Sequence, residues 1–144
     1  MSRDSALIWL QVACGLTILT GLVAALASHP AGSGSWLLLF DLLAWPVDGQ
    51  PAAFAPETFA TNAVLGGVMI GWGVLMLQLV RGPLAGRDLP AAGATARMIT
   101  IGLGAWFVID TSGSFAAGLP GNAVLNAGFL LLFLPPLLRL LRES

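Results

Sequence analysis

The sequence has no lysine and no tyrosine, one cysteine and one histidine, and only 9% of its residues are charged. Each shortage excludes something. Soluble domains carry roughly a quarter charged residues. A chain this poor in charge, with 57% of its 144 residues hydrophobic, cannot cover a water-facing surface but can cover a lipid-facing one. Without lysine there is no GxxxxGK[ST] phosphate loop. A lone Cys14 makes no intramolecular disulfide and no cysteine metal cluster, and it cannot run the paired-thiol chemistry of quinone-coupled redox enzymes. Within an apolar stretch it reads as packing. One histidine cannot ligate a bis-histidine haem. His29 precedes Pro30 at the edge of an apolar block and reads as an interfacial polar residue, the alternative being a single metal or chlorin ligand. HExxH is absent. With a net charge of −1 and no basic run or acidic tail, nothing points to nucleic acid. No cofactor and no enzymatic activity are expected.

The apolar residues fall into four blocks, 6–27, 58–80, 97–117 and 121–141. Each approaches the ~20 residues needed to cross a ~30 Å hydrocarbon core. The expectation is one all-α membrane domain over residues 1–144, a four-transmembrane-helix bundle built as two hairpins. The first block ends in Ala25-Leu26-Ala27, which imitates a signal-peptidase site. Its length exceeds the ~7–15 residues of a signal core, so it is read as a retained span. Arg3 precedes span one, Arg81, Arg87 and Arg97 bracket the middle loop, and Arg139 and Arg142 close span four, while the other two loops carry no positive residue. The positive-inside rule then puts both termini and the middle loop in the cytoplasm, and residues 28–57 and the 118–121 turn face outward, which in a bacterium means the periplasm.

Residues 82–96, GPLAGRDLPAAGATA, read as a flexible connection. In the first outer loop, WLLLFDLLAW over 36–45 is too short to span. With Ser35 as a plausible N-cap and Trp36 and Trp45 at its ends, it reads as an interfacial helix, lying in the interface or tucked against the bundle. Asp41 is expected at its polar edge, facing water. A docking surface for a neighbouring protein is the alternative. Asn62-Ala-Val-Leu opens span two and Asn122-Ala-Val-Leu opens span four, and Cys14-Gly15-Leu16 can be laid on Ile101-Gly102-Leu103. Together these suggest a parallel duplication of one hairpin.

Helices in lipid associate where small residues let backbones approach. Ala13, Thr17, Gly21 and Ala25 form such a row on span one, and Ala63, Gly67 and Gly71 form one on span two, with Gly66 and Gly73 beside them. Both read as seams within the bundle or, alternatively, towards another subunit. Span four is expected to continue through Pro135-Pro136 with a kink.

Asp110 lies 13 positions after Arg97 and 8 before Gly118, so it belongs in the outer half of span three. A charge at that depth costs a few kcal/mol unless something compensates it. Ser114 follows one turn outward on the same face. Folding spans three and four about residue 120 places Asn126 level with Ser114 and Asn122 one turn nearer the surface, and Asn62 enters from the same end of span two. Asp110, Ser114, Asn122, Asn126 and Asn62 are therefore expected to form one polar cluster. It reads either as an interhelical clasp or as a proton- or cation-binding site. An intramembrane aspartyl protease would need a second membrane aspartate, which the spans lack.

The stretches FDLLAWPVDG, LGGVMIGWGVL, WFVIDTSGS and NAVLN, spread over about residues 36–136, resemble a group of small four-span bacterial inner-membrane proteins of no established function. The resemblance implies the topology and no chemistry. The expectation is an accessory or assembly subunit in contact with lipid and with a larger respiratory or photosynthetic membrane complex, or a homo-oligomer. The alternative is a small oligomeric transporter or channel, coupled to protons or cations, that uses Asp110.

Overall fold

The computed structural model describes residues 1–44, 46–49 and 52–143. Among these there is no strand, and the chain is an all-α bundle of four long apolar helices with one short helix at an end. Helix α1 spans Arg3–Leu26, capped by Ser2, whose hydroxyl accepts from the Ser5 N–H. After a 3₁₀ turn at Pro30–Gly32 comes α2, Gly34–Ala44. Helix α3 is Pro56–Leu79, starting on a proline whose missing N–H costs nothing in a first turn. Helices α4, Leu89–Ala116, and α5, Pro120–Leu141, complete the chain. All four long helices have the length and apolarity to cross a membrane.

The middle connection differs from the expected flexible loop. Helix α3 continues into a π-helical turn, Val80–Leu84, around Pro83, which cannot donate the N–H a regular turn requires. Helix α4 then begins at Leu89, eight residues before the expected start. Asp88 caps it through the Ala91 N–H at 3.1 Å, and the alanine-rich segment that follows favours helix. These first turns are held by packing, with Ala92, Gly93, Thr95 and Ala96 buried. Helix α5 runs on through Pro135 and Pro136.

Packing follows heptad spacing. The buried positions of α3 are Asn62, Gly66, Gly73 and Met76, continued by Val80, and those of α1 include Ala6, Leu10, Ala13, Thr17 and Ala24. Steps of three and four keep one stripe turned to a neighbour. Helices α1 and α3 approach closely at Gly21 and Gly66. A Cβ on Gly21 would come within 2.9 Å of the Ile70 nitrogen, and one on Gly66 would run into the Ala25 backbone. The α1 row Ala13, Thr17, Gly21, Ala25 is thus a seam inside the bundle. The α3 row is not: Ala63, Gly67 and Gly71 are exposed, and nothing stands near Gly67 or Gly71. The stripe that faces α1 lies one residue round the helix, through Gly66 and Gly73.

Helix α1 packs on α3 and on α5, and α5 packs on α4, whereas α3 and α4 make no extended backbone contact. Between them stand rings. Trp72 of α3 lies 6.0 Å from Trp106 of α4 and stacks at 6.2 Å on Phe133 of α5. At the arginine end, Arg3 donates to the Leu84 and Gly86 carbonyls at 2.8 Å each. Arg139 donates to the Met1 carbonyl at 2.8 Å and pairs with Glu143 at 2.6 Å.

Helix α2 is tucked against α5 and α1 at the opposite, far end. Trp36 and Phe54 are buried there with Ala24 and Ala27, and the rings of Trp36, Phe40, Phe54 and Phe59 meet in a chain of edge contacts. Helix α2 begins at Gly34, so Ser35 lies in its first turn rather than capping it. Trp45 lies outside the described residues. Asp41 does not face water. It is 6% exposed, and its two carboxylate oxygens accept from the Asp48 and Gly49 N–H groups at 3.1 and 3.0 Å. Burial with two backbone donors satisfies the carboxylate better than an open edge would, and it fixes the chain that leaves the helix.

Candidate functional site

The polar residues of the far end meet across the α4–α5 turn. Helix α4 ends in a Schellman motif: Gly118 adopts φ +73°, its N–H reaches the Phe115 carbonyl at 3.1 Å, and the Leu119 N–H reaches that of Ser114 at 2.9 Å. This reverses the chain sharply and brings Asn122, in the first turn of α5, back onto Ser114. The Asn122 Nδ2 donates to Ser114 Oγ at 2.7 Å and to Asp110 Oδ1 at 3.3 Å. The Ser114 hydroxyl donates chiefly to the Asp110 carbonyl at 2.7 Å, with Oδ1 a weaker second contact at 3.4 Å.

Asp110, Ser114 and Asn122 are therefore together, as the spacing suggested. Asn126 lies one turn further in and donates to Thr111 Oγ1 at 3.2 Å instead of standing beside Ser114. The register moves because the chain pivots at Gly118 and not at residue 120. Asn62 belongs elsewhere. Only 2% exposed, it donates to the Ala27 carbonyl at 3.1 Å, because α3 packs on α1 rather than on the α4–α5 hairpin. The two asparagines of the repeated Asn-Ala-Val-Leu still do the same work. Each reaches from the start of its hairpin's second helix to the end of the first.

Beside the Asp110 cluster lies a cavity of about 380 Å³, within the ~300–1,000 Å³ of small-molecule sites. All five helices line it. Asp110 and Asn122 form part of its wall with Asn126. Trp72, Trp106 and Phe129 contribute rings, and Trp36, Phe40 and Leu43 of α2 close it at the far end. Helix α2 can sit this low because Gly121 lies directly under the Leu43 carbonyl, where a Cβ would collide. The indole Nε1 of Trp36 is buried and has no hydrogen-bond partner among the described residues. Sequence reasoning missed this cavity. The available signal was the position of Trp72 and Trp106, which lie deep in their spans although membrane tryptophans favour the interfaces.

Among the described residues no three His, Cys, Asp or Glu side chains gather as a metal site. His29 accepts from the Ala31 N–H through Nδ1 at 3.2 Å and caps the 3₁₀ turn. Cys14 is a buried free thiol in the α1 core. The chain matches no protein-family model, and no similar curated protein or solved structure was found. Four apolar helices of spanning length, with apolar side chains outermost, carry the broad conclusion. The protein is an integral membrane protein.

Proposed function

We propose that this protein is a non-enzymatic accessory or assembly subunit that docks against a larger complex in a bacterial inner membrane, with its arginine end in the cytoplasm. The observation that carries this reading is the bare row Ala63, Gly67 and Gly71 on α3. In lipid, such a row is the surface on which a second helix can approach backbone to backbone, and no helix of this chain uses it. Exposed Val64, Val68 and Leu75 flank it and supply ridges for the same contact.

The test is mild solubilisation followed by native mass spectrometry of the wild type and of Gly67→Leu with Gly71→Leu. The wild type is expected in a stable larger assembly and the double variant as a folded free subunit. Isolation of the wild type only as a monomer or homo-oligomer would falsify the proposal. A second reading, a small cation- or proton-coupled carrier, is favoured by one observation, the place of Asp110 in a cavity wall. It requires flux in liposomes that Asp110→Asn abolishes, and a wild type without flux defeats it.

A further inference from the structure

One polar atom at the wall of the cavity between the hairpins lacks a hydrogen-bond partner among the described residues. Asp110 engages Asn122 and Ser114 through Oδ1, while Oδ2 receives no hydrogen bond among the described residues. No arginine offsets its charge. The nearest along α4 is Arg97, 13 residues or roughly 20 Å of helix away. A carboxylate at such depth is unfavourable by a few kcal/mol until paired. The remaining wall is almost wholly apolar and ring-rich, with Trp72, Trp106, Met69 and Phe129.

We propose that this cavity binds a small amphiphilic amine. The apolar body fills the ring-lined space, an ammonium pairs with Asp110 Oδ2, and the Asn122 side chain flanks it. Charge complementarity selects the head group. An anion is repelled by a carboxylate with no basic neighbour, and an alcohol leaves the charge uncompensated. A hydrated metal ion requires several oxygen ligands, which one carboxylate in an apolar wall does not supply. The volume selects size, because a two-chain lipid exceeds about 380 Å³ whereas a single ring with a short amine tail fits. Aromatic faces around the head group add cation–π attraction.

The experiment uses the full chain in phosphatidylcholine nanodiscs, a lipid with no N–H donor. It is titrated with 3-phenoxypropylamine, 3-phenoxypropanol and 3-phenoxypropionate against empty discs. Tryptophan fluorescence reads binding, since Trp36, Trp72 and Trp106 all line the cavity. The amine is expected to bind at least about tenfold more tightly than the alcohol, and the acid not at all. In Asp110→Asn the amine-to-alcohol ratio falls to about one. Equal affinity of the wild type for amine and alcohol overturns the proposal without recourse to any variant, as does an amine preference undiminished in folded Asp110→Asn. Loss of amine binding when part of the lipid is phosphatidylethanolamine reassigns the site to a lipid head group and also overturns it. Binding alone is read, so the result stands apart from docking or transport.

Discussion

Gly118 holds a φ of +73°, where a side chain costs about 1–2 kcal/mol, and the polar cluster depends on it. Gly118→Ala is expected to lower stability by about that amount, measured as a lower thermal midpoint in detergent, and to loosen Asn122 from Ser114. Asp41 offers a second residue-scale check. Asp41→Ala leaves the Asp48 and Gly49 N–H groups without their acceptor, and faster proteolysis within residues 46–49 should follow, with α2 retained. Asp110 and Ser114 could be read as neighbours from their spacing of four, and Asn122 from the turn that follows. The asparagine register could not, because it depends on whether the chain reverses at residue 118 or 120, a matter of one left-handed glycine. Asp41 misled for a related reason. An acidic residue on a short apolar helix reads as its wet edge, and only the folded-back segment 46–49 supplies the donors that bury it.

At the scale of the element, α3 presents two glycine rows one residue apart, and they have opposite roles. Gly66→Leu forces a side chain into the Ala25 backbone. It is expected to prevent the α1–α3 hairpin from closing, seen as aggregation or loss of the folded species in size-exclusion chromatography. Gly67→Leu adds a side chain to open space and should leave the stability within about 0.5 kcal/mol of wild type, as for other exposed substitutions, read as an almost unchanged thermal midpoint. Small-residue spacing alone could not separate the rows. Heptad spacing does, since Asn62, Gly66, Gly73, Met76 and Val80 advance by threes, fours and sevens, whereas Ala63, Gly67 and Gly71 advance only by fours. The early start of α4 was hidden by composition. Gly, Pro and Ala suggest a loop, but Asp88 at the cap position and the burial of Ala92 and Ala96 make the same residues a helix.

For the whole molecule, span number was legible because lipid demands long apolar helices, and the α4–α5 hairpin because only a tight turn joins its two spans. What fills the space between hairpins was not, since side-chain packing across α3 and α4 leaves no periodic trace. The arginine clustering yields a prediction on orientation. In a Cys14→Ala background, single cysteines at 86 and 143 should resist a membrane-impermeant maleimide added to intact spheroplasts, while cysteines at 31 and 53 react. The converse pattern reverses the topology.

The order α3, α1, α5, α4 around the bundle has a mechanical consequence. Close glycine approaches hold α1 to α3 and side-chain hydrogen bonds hold α4 to α5, with α5 packed on α1, but between α3 and α4 stand the rings of Trp72 and Trp106. The bundle therefore has a spine and a fore-edge, like a book, and the covers are expected to part most readily along α3 and α4. Spin labels across α3 and α4 near the far end should give a broader distance distribution than labels across α1 and α3. A hydrophobic molecule already dissolved in the bilayer could then slip in sideways between the covers, so that its concentration in the lipid, not in water, sets occupancy.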